Sequence, residues 1–411
     1  MTSVTPNIVL IRSSPIALWG IDSQERLRRA FKRAGIAVTG QSAGGGVAGT
    51  EQPTLLIRAD HVYEESVIRA LIRNPSHLLV TDAGVPVAAH IAPGGDIDAA
   101  AALLQSEATV ASGALPAGLS TVVDPAALAS TYNHALRKRA RPYVLPLTPE
   151  TVPAIEHRMF HGAYKGVTDF VTKYVWPVPA MAVTRWCARL SISPNMVTTV
   201  SFLCVLAAMS LFWHGQFLAG LAAAWMMCFL DTVDGKLARV TLTSTKFGDV
   251  FDHGIDLLHP PFWYYAWFVG QGAVIGGSGQ DALQTAALWI IIAGYVLGRG
   301  QEGLFIWLYR IEIHTWRPID SWFRLITARR NPNLFILTIA ALIDRPAEGF
   351  LAVAAWTIVS FLFHCWRIAQ AGWQRMMGHR PCSWLTEPLV TPEAWRTERR
   401  GGSGLRGSGV P

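Results

Sequence analysis

Beyond about residue 160 this chain carries a succession of apolar stretches, each close to the roughly 20 residues a helix needs to cross a bilayer. They fall at 197–213, 217–237, 250–269, 283–304, 334–343 with its flanks, and 350–368. The loops at 214–216 and 270–281 hold no Lys or Arg, whereas 236–246, 310–330 and the C-terminal tail are rich in them. By the positive-inside rule both termini are then cytoplasmic and the number of spans is even, which six spans satisfy. With 51% hydrophobic and 15% charged residues, this clustering excludes whole-chain disorder and a purely soluble enzyme. The net charge of +7 belongs to cytoplasmic loops, so no nucleic-acid partner is needed to explain it.

Before residue 160 the pattern changes to that of a small soluble α/β unit. Residues 7–11 read as a buried strand, and 22–34 carry Leu27, Ala30, Phe31 and Ala34 at helical spacing. A second strand is expected at 54–58, a helix at 64–72, and a strand pair at 77–81 and 85–91 around Asp82-Ala83-Gly84. Strands alternating with helices imply a mainly parallel sheet. The Gly-rich stretch 41–50 reads as a loop, and with no signal or span read ahead of it the unit is expected to be cytosolic. The expected fold class is an all-α polytopic membrane domain with six transmembrane helices, preceded by this α/β domain. Its expected boundaries are 1–130 for the α/β domain, 131–160 for a linker, 161–380 for the membrane domain and 381–411 for a disordered cytoplasmic tail.

Ionisable residues inside a membrane are costly and mark function by default. Here four carboxylates cluster, in Asp231-Thr-Val-Asp234-Gly235-Lys236-Leu-Ala238-Arg239 and, after Gly248, in Asp252-His253-Gly-Ile-Asp256. Asp231, Asp234 and Ala238 share one helix face, and Gly248, Asp252 and Asp256 share one face of the next. Two antiparallel spans joined by a short cytoplasmic loop bring those faces together. Four converging carboxylates need bound cations. Without Cys or several His beside them, they suit hard cations such as Mg²⁺, Mn²⁺ or Ca²⁺, which normally serve phosphate chemistry. The five Cys show no CxxC and no zinc spacing. Small residues at Gly235, Ala238 and Gly248 leave room for a nucleotide diphosphate, and Arg239 suits its oxygens.

The spacing D-x2-D-G-x2-A-R-x8-G-x3-D-x3-D over residues 231–256 resembles the signature of the CDP-alcohol phosphotransferases at every defined position. The resemblance spreads over roughly 160–375 and includes Pro194-Asn195-Met196-Val197-Thr198, similar to the element preceding the first span of that family. It implies a two-ion Mg²⁺ or Mn²⁺ site held by Asp231, Asp234, Asp252 and Asp256. Asp256 is also the expected catalytic base, taking the proton from an acceptor hydroxyl that attacks the β-phosphate of a CDP-alcohol. Gly235, Ala238, Arg239, Gly248, Asn195 and Thr198 are expected to contact nucleotide and diphosphate. Lys165, Lys173 and Arg299 are candidates for the acceptor or a second anion; Arg324, Arg329 and Arg330 could bind the same anion but read more readily as positive-inside anchors. Lys236 reads equally as a snorkelling interfacial lysine. The implied setting is a homodimer in the inner, cytoplasmic membrane, multi-pass, with the active site on the cytoplasmic side and a role in phospholipid biosynthesis.

Tyr164-Lys-Gly-Val-Thr-Asp-Phe-Val-Thr-Lys173, with Trp176-Pro177 and 323–330, also resembles enzymes that fuse an inositol-phosphate cytidylyltransferase to a di-inositol-phosphate-phosphate synthase. The N-terminal unit is similar in its αβ order and in Arg58-Ala59-Asp60-His61-Val62, where Asp60 matches a metal-binding Asp. Its first turn, Arg12-Ser-Ser-Pro15, lacks the Gly-rich phosphate cradle. A degenerate, non-catalytic nucleotidyltransferase-like domain is therefore expected. Three readings of the whole chain follow. The first is transfer from a CDP-activated donor such as CDP-diacylglycerol to a polar alcohol; the second uses a CDP-inositol-type donor and an inositol-phosphate or lipid alcohol acceptor. The third, of another class, is an ion-coupled transporter, against which the small residues beside the carboxylates and the lack of an inverted repeat argue.

Overall fold

The computed structural model describes residues 6–36, 38, 40–41, 52–110, 115–133, 136–275 and 282–386. Nearly all of the expected 41–50 loop, and the tail from 387 onward, lie outside the described residues.

In chain order the N-terminal elements are β1 (Asn7–Ser13), α1 (Ser23–Arg33), β2 (Gly40–Gln41), β3 (Thr54–Ala59), β4 (His61–Tyr63), α2 (Glu65–Arg73), β5 (His77–Val80), β6 (Pro86–Ile91), α3 (Ile97–Gln105) and β7 (Thr121–Val123). The sheet order is β2-β1-β3-β6-β5-β7. Continuous apolar runs such as Ile8–Ile11 make strands buried on both faces. Asp22 starts α1 by accepting a 2.8 Å hydrogen bond from the Glu25 amide, and Leu27, Ala30 and Phe31 turn inward at helical spacing. Three of the five pairings are parallel, as expected, β1 with β2 and β3 and β5 with β7, but the sheet is mixed because β6 is antiparallel to both of its neighbours. The cause is the hairpin at Asp82-Ala83-Gly84, where Gly84 takes φ +80° and turns β6 back beside β5.

Next come α4 (Pro125–Leu128), β8 (Tyr132–Asn133), β9 (Lys138–Arg139), β10 (Val144–Pro146) and α5 (Val152–Gly162). Strand β10 pairs with β4, which ties the segment expected to be a linker to the sheet unit. A π-helical turn at Val171–Val175 precedes α6 (Pro177–Arg189), α7 (Pro194–Trp213), α8 (Phe217–Val240), α9 (Lys246–Ile275) and α10 (Ala282–Tyr309). A 3-10 turn at Ile313–Thr315, α11 (Pro318–Phe323), α12 (Arg330–Leu342) and α13 (Pro346–Met376) complete the chain.

Among the described residues four helices are long and apolar enough to cross a membrane, α7, α8, α10 and α13, rather than the six expected. The expected third span lies in α9, whose first turns carry the acidic cluster and which contains Pro260 and Pro261. The expected fifth span lies in α12, whose 13 residues reach about 20 Å against a hydrocarbon core of roughly 30 Å. Helices α7, α8, α9, α12 and α13 share a core containing Phe212, Trp267 and Phe350. Trp263 and Trp316 are buried, whereas Trp186 and Trp307 are exposed as interfacial belt residues would be. A separate core joins Leu18 and Trp19 of the sheet unit to Phe160 on α5 and to Val233, Leu237 and Val240 on α8. The sheet unit is thus packed directly against the helix that carries the first two carboxylates.

Candidate active site

Helices α8 and α9 bring Asp231 and Asp256 to one cavity of about 490 Å³, which Gly235, Lys236 and Arg239 also line. Both carboxylates bind the same guanidinium: Arg330, the first residue of α12, donates through Nη2 to Asp231 Oδ2 at 2.5 Å and through Nη1 to Asp256 Oδ1. Asp256 is the more open of the two, its side chain 39% exposed against 17% for Asp231. Asp234, one helical turn along, is buried; its Oδ2 accepts a 2.6 Å hydrogen bond from Thr198 Oγ1 on α7. Its Oδ1 has no hydrogen-bond partner among the described residues. A buried carboxylate oxygen left bare costs free energy unless a cation or donor meets it. Asp252 lies in α9, but its side chain is outside the described residues. Among the described residues no group of three metal-capable side chains is gathered.

The glycines act differently from one another. At Gly235 a Cβ would stand at an ordinary van der Waals distance of 3.7 Å from Arg239 Nη1, so the guanidinium lies beside this turn without requiring the glycine. Arg239 Nη1 donates to the Ala163 carbonyl at 3.1 Å. At Gly248 a Cβ would come within 2.8 Å of Asn195 Oδ1, so this glycine lets the α9 backbone approach the N-terminus of α7. Of the residues expected to touch nucleotide, Gly235 and Arg239 line the cavity, whereas Asn195, Thr198, Ala238 and Gly248 lie outside its lining. Lys236 does not snorkel: it is buried with Nζ 3.9 Å from the Tyr164 ring centre.

The rest of the cavity lining, its basic lobe, is rich in cations. Lys165 and Arg299 line it, as expected of a second-anion site, but Lys173 is exposed on the π-helical turn and lies outside the lining. Burial, followed by the charges of Arg137 and Arg239, holds the Lys165 ammonium below its usual range. Arg324 is 8% exposed, and its Nε and Nη1 have no hydrogen-bond partner among the described residues. Burial pushes its pKa down to about 10, against the opposing pull of Asp169. Asp169 itself lies below its ordinary range despite burial, because Arg324 and hydrogen bonds from Thr172 and Asn331 outweigh it. Arg329 pairs with Glu302, which also meets His314 Nε2 at 3.1 Å.

Residues 191–359 match the family model described as CDP-alcohol phosphatidyltransferase. The chain carries a CDP-alcohol phosphatidyltransferase domain. Archaetidylinositol phosphate synthase of Pyrococcus horikoshii is 40% identical over 81 residues, which are 20% of this chain and 43% of that protein. The bifunctional IPC transferase and DIPP synthase of Rubrobacter xylanophilus is 24% identical over 209 residues, 51% of this chain and 44% of that protein. The chain therefore spans less than half the length of these relatives. The solved Mycobacterium tuberculosis phosphatidylinositol phosphate synthase with CDP-DAG bound covers 46% of this chain and 92% of its own, at 16% identity and a TM-score of 0.36, a likeness too slight to add to the site.

Within the phosphatidyltransferase domain, the sequence favours topological anchoring for Arg324, Arg329 and Arg330 over anion binding and does not reveal the ion pairs of Arg330. Arg330 instead joins the two halves of the carboxylate motif, and Arg324 points bare nitrogens into the basic lobe. Their density, three Arg in seven residues at the head of a short helix, was the available signal.

Proposed function

We propose that this protein is an integral-membrane CDP-alcohol phosphotransferase that moves a phosphoalcohol from a CDP-activated donor to an acceptor hydroxyl, releasing CMP, in phospholipid biosynthesis. The observation carrying this reading is the meeting of Asp231 and Asp256, from two helices, at one cavity beside the buried Asp234 with its bare oxygen. The all-carboxylate donor set and that bare oxygen fit hard divalent cations. Two Mg²⁺ or Mn²⁺ ions held by Asp231, Asp234, Asp252 and Asp256 would supply neutralising charge for the diphosphate and the departing CMP. Arg330 holds that countercharge in the protein as it stands.

Gly235 and Arg239 lie where a diphosphate can approach the α8 backbone and meet a fixed guanidinium. Asp256, the more open carboxylate, accepts the acceptor's hydroxyl proton as that oxygen forms its bond to the β-phosphorus. The bond from the β-phosphorus to the bridging oxygen breaks and CMP departs with that oxygen. Lys165, Arg299 and Arg324 bind an anionic acceptor, a phosphorylated polyol such as an inositol or glycerol phosphate. A CDP-inositol-type donor is the second reading, favoured by the match to the bifunctional relative over 51% of the chain.

The sheet unit belongs to this reading as a non-catalytic nucleotidyltransferase-like domain of residues 1–130, joined through 131–160 to the membrane domain of 161–380. Asp60 supports that role: it is engaged by Arg58 at 2.7 Å, His61 at 2.7 Å and Arg12 at 3.4 Å rather than open to a metal. A homodimer in the inner membrane with a cytoplasmic active site completes the proposal. A panel of CDP-alcohols against phosphorylated and neutral acceptors, read by mass spectrometry, tests it. The expected product joins a CDP-derived phosphoalcohol to a phosphorylated acceptor; products only with neutral acceptors would reject the basic lobe's role.

A further inference from the structure

The C-terminal end of α8 is finished by another part of the molecule. A helix leaves its last carbonyls without partners inside the helix, and each must be satisfied elsewhere. Here the Leu237 carbonyl accepts from the Thr241 amide at 3.0 Å and the Ala238 carbonyl from the Thr243 amide at 3.0 Å. The Arg239 carbonyl accepts from the Leu242 amide at 3.4 Å, and the two carbonyls after it turn to the sheet unit. Arg26 Nη1 donates to the Val240 carbonyl at 2.8 Å and Arg29 Nη1 to the Thr241 carbonyl at 3.1 Å. Both arginines lie on α1, one helical turn apart on the same face, and Glu25 holds Arg29 at 2.8 Å.

The following residue is strained. Leu242 has φ +55°, a left-handed conformation unfavourable for a side chain with a Cβ. Its side chain packs against the sheet unit's own core, the cluster of Leu27, Phe31, Leu55 and Val67. Four residues later α9 begins and carries Gly248, Asp252 and Asp256. The turn clamped by Arg26, Arg29 and the Leu242 contact is therefore the one that sets the α8 carboxylates against those of α9.

We infer that the sheet unit is a positioning clamp for the phosphotransfer site, with Arg26 and Arg29 fixing the α8–α9 turn so that Asp231 and Asp256 meet. This inference rests on the transferase reading and adds to it a role for the sheet unit in turnover. Arg26 and Arg29 are positioning residues: they lie outside the cavity lining and act through the turn. Because the basic lobe is built from other segments, the clamp bears on the carboxylates and leaves acceptor binding alone.

The test uses the full-length protein in detergent and two readouts. In Arg26→Ala/Arg29→Ala, amide hydrogen exchange over 241–245 is expected to quicken by about tenfold or more through local opening. Turnover is expected to fall by about 10- to 100-fold with the acceptor KM unchanged, the cost of a displaced catalytic group. Arg26→Lys/Arg29→Lys, which keeps a donor to each carbonyl, recovers most of both. Leu242→Gly, which accepts the left-handed conformation but loses the packing, shows the same loss of protection. Unchanged exchange in the double alanine variant overturns the clamp, whatever reaction the protein performs. Quickened exchange with wild-type turnover, in a protein that does transfer phosphoalcohols, overturns the positioning role alone. If the wild-type protein turns over no CDP-alcohol, the transferase reading fails by itself and the exchange result still decides the clamp.

Discussion

In the sheet unit, Asp60 meets three basic side chains, Arg58, His61 and Arg12; in the helical region, Asp231 and Asp256 converge on one guanidinium and Asp234 keeps a buried oxygen bare. Burial by itself would raise the Asp60 carboxyl, but hydrogen bonds and charge from His61 and Arg58 hold it well below the usual carboxylate range. Such a carboxylate is internally neutralised and has little to offer a metal. Asp231 and Asp256 share Arg330, and Asp234 Oδ1 has no hydrogen-bond partner among the described residues, an arrangement that suits the proposed cation. The same residue type, in two parts of one chain, faces three basic side chains in one setting and shares a single guanidinium in the other.

The largest effect that would break this comparison concerns the base. Asp256→Asn should lower turnover by about 10²- to 10⁴-fold, the usual worth of a general base, and stopped assays of product formation read it; a rate near wild type would remove Asp256 from the chemistry. Arg324→Ala comes next. Losing a charged hydrogen-bond donor of about 1.5–3 kcal/mol should raise the KM of a phosphorylated acceptor by roughly 10- to 100-fold, and leave that of a neutral acceptor in place.

In the sheet unit, Asp60→Ala leaves the buried Arg58 without its carboxylate and should cost about 3 kcal/mol of that unit's stability, seen as a lower denaturation midpoint. The sign with pH is fixed by the depressed pKa: this stabilisation is full above the unfolded value near about pH 4 and is lost as pH falls below it. Thermal melts between acid and neutral pH check it. The smallest effect belongs to Lys165, whose ammonium titrates below the ordinary lysine range. The KM for an anionic acceptor should therefore climb as pH rises toward that range, and Lys165→Arg should flatten the climb, because a guanidinium keeps its charge there.

Much of the sheet unit was legible because its signals are local. Asp22 ahead of a 3.6-residue apolar repeat gave α1, and Asp82-Ala83-Gly84 between two apolar runs gave the β5–β6 hairpin. The antiparallel seating of β6 against β3 was not legible, since strand order depends on contacts between segments far apart. The carboxylates were readable from spacing alone, because four Asp among apolar residues have few structural explanations. Arg330 was hidden by distance: 99 residues separate it from Asp231, and an Arg beside a span serves topology as well as chemistry. Helix α12 shows the same limit, its apolar run being too short to cross and readable as a span only with its flanks.

The central claim is that the helical carboxylates, and not Asp60, carry phosphoalcohol transfer. Its most direct measurement is CMP release from labelled CDP-alcohol donors by the purified full-length protein, as wild type and as Asp60→Asn, with and without a divalent-metal chelator. The account predicts CMP equal to product, lost on chelation and retained in Asp60→Asn. Release that survives chelation, or that disappears with Asp60→Asn in a folded protein, would contradict it.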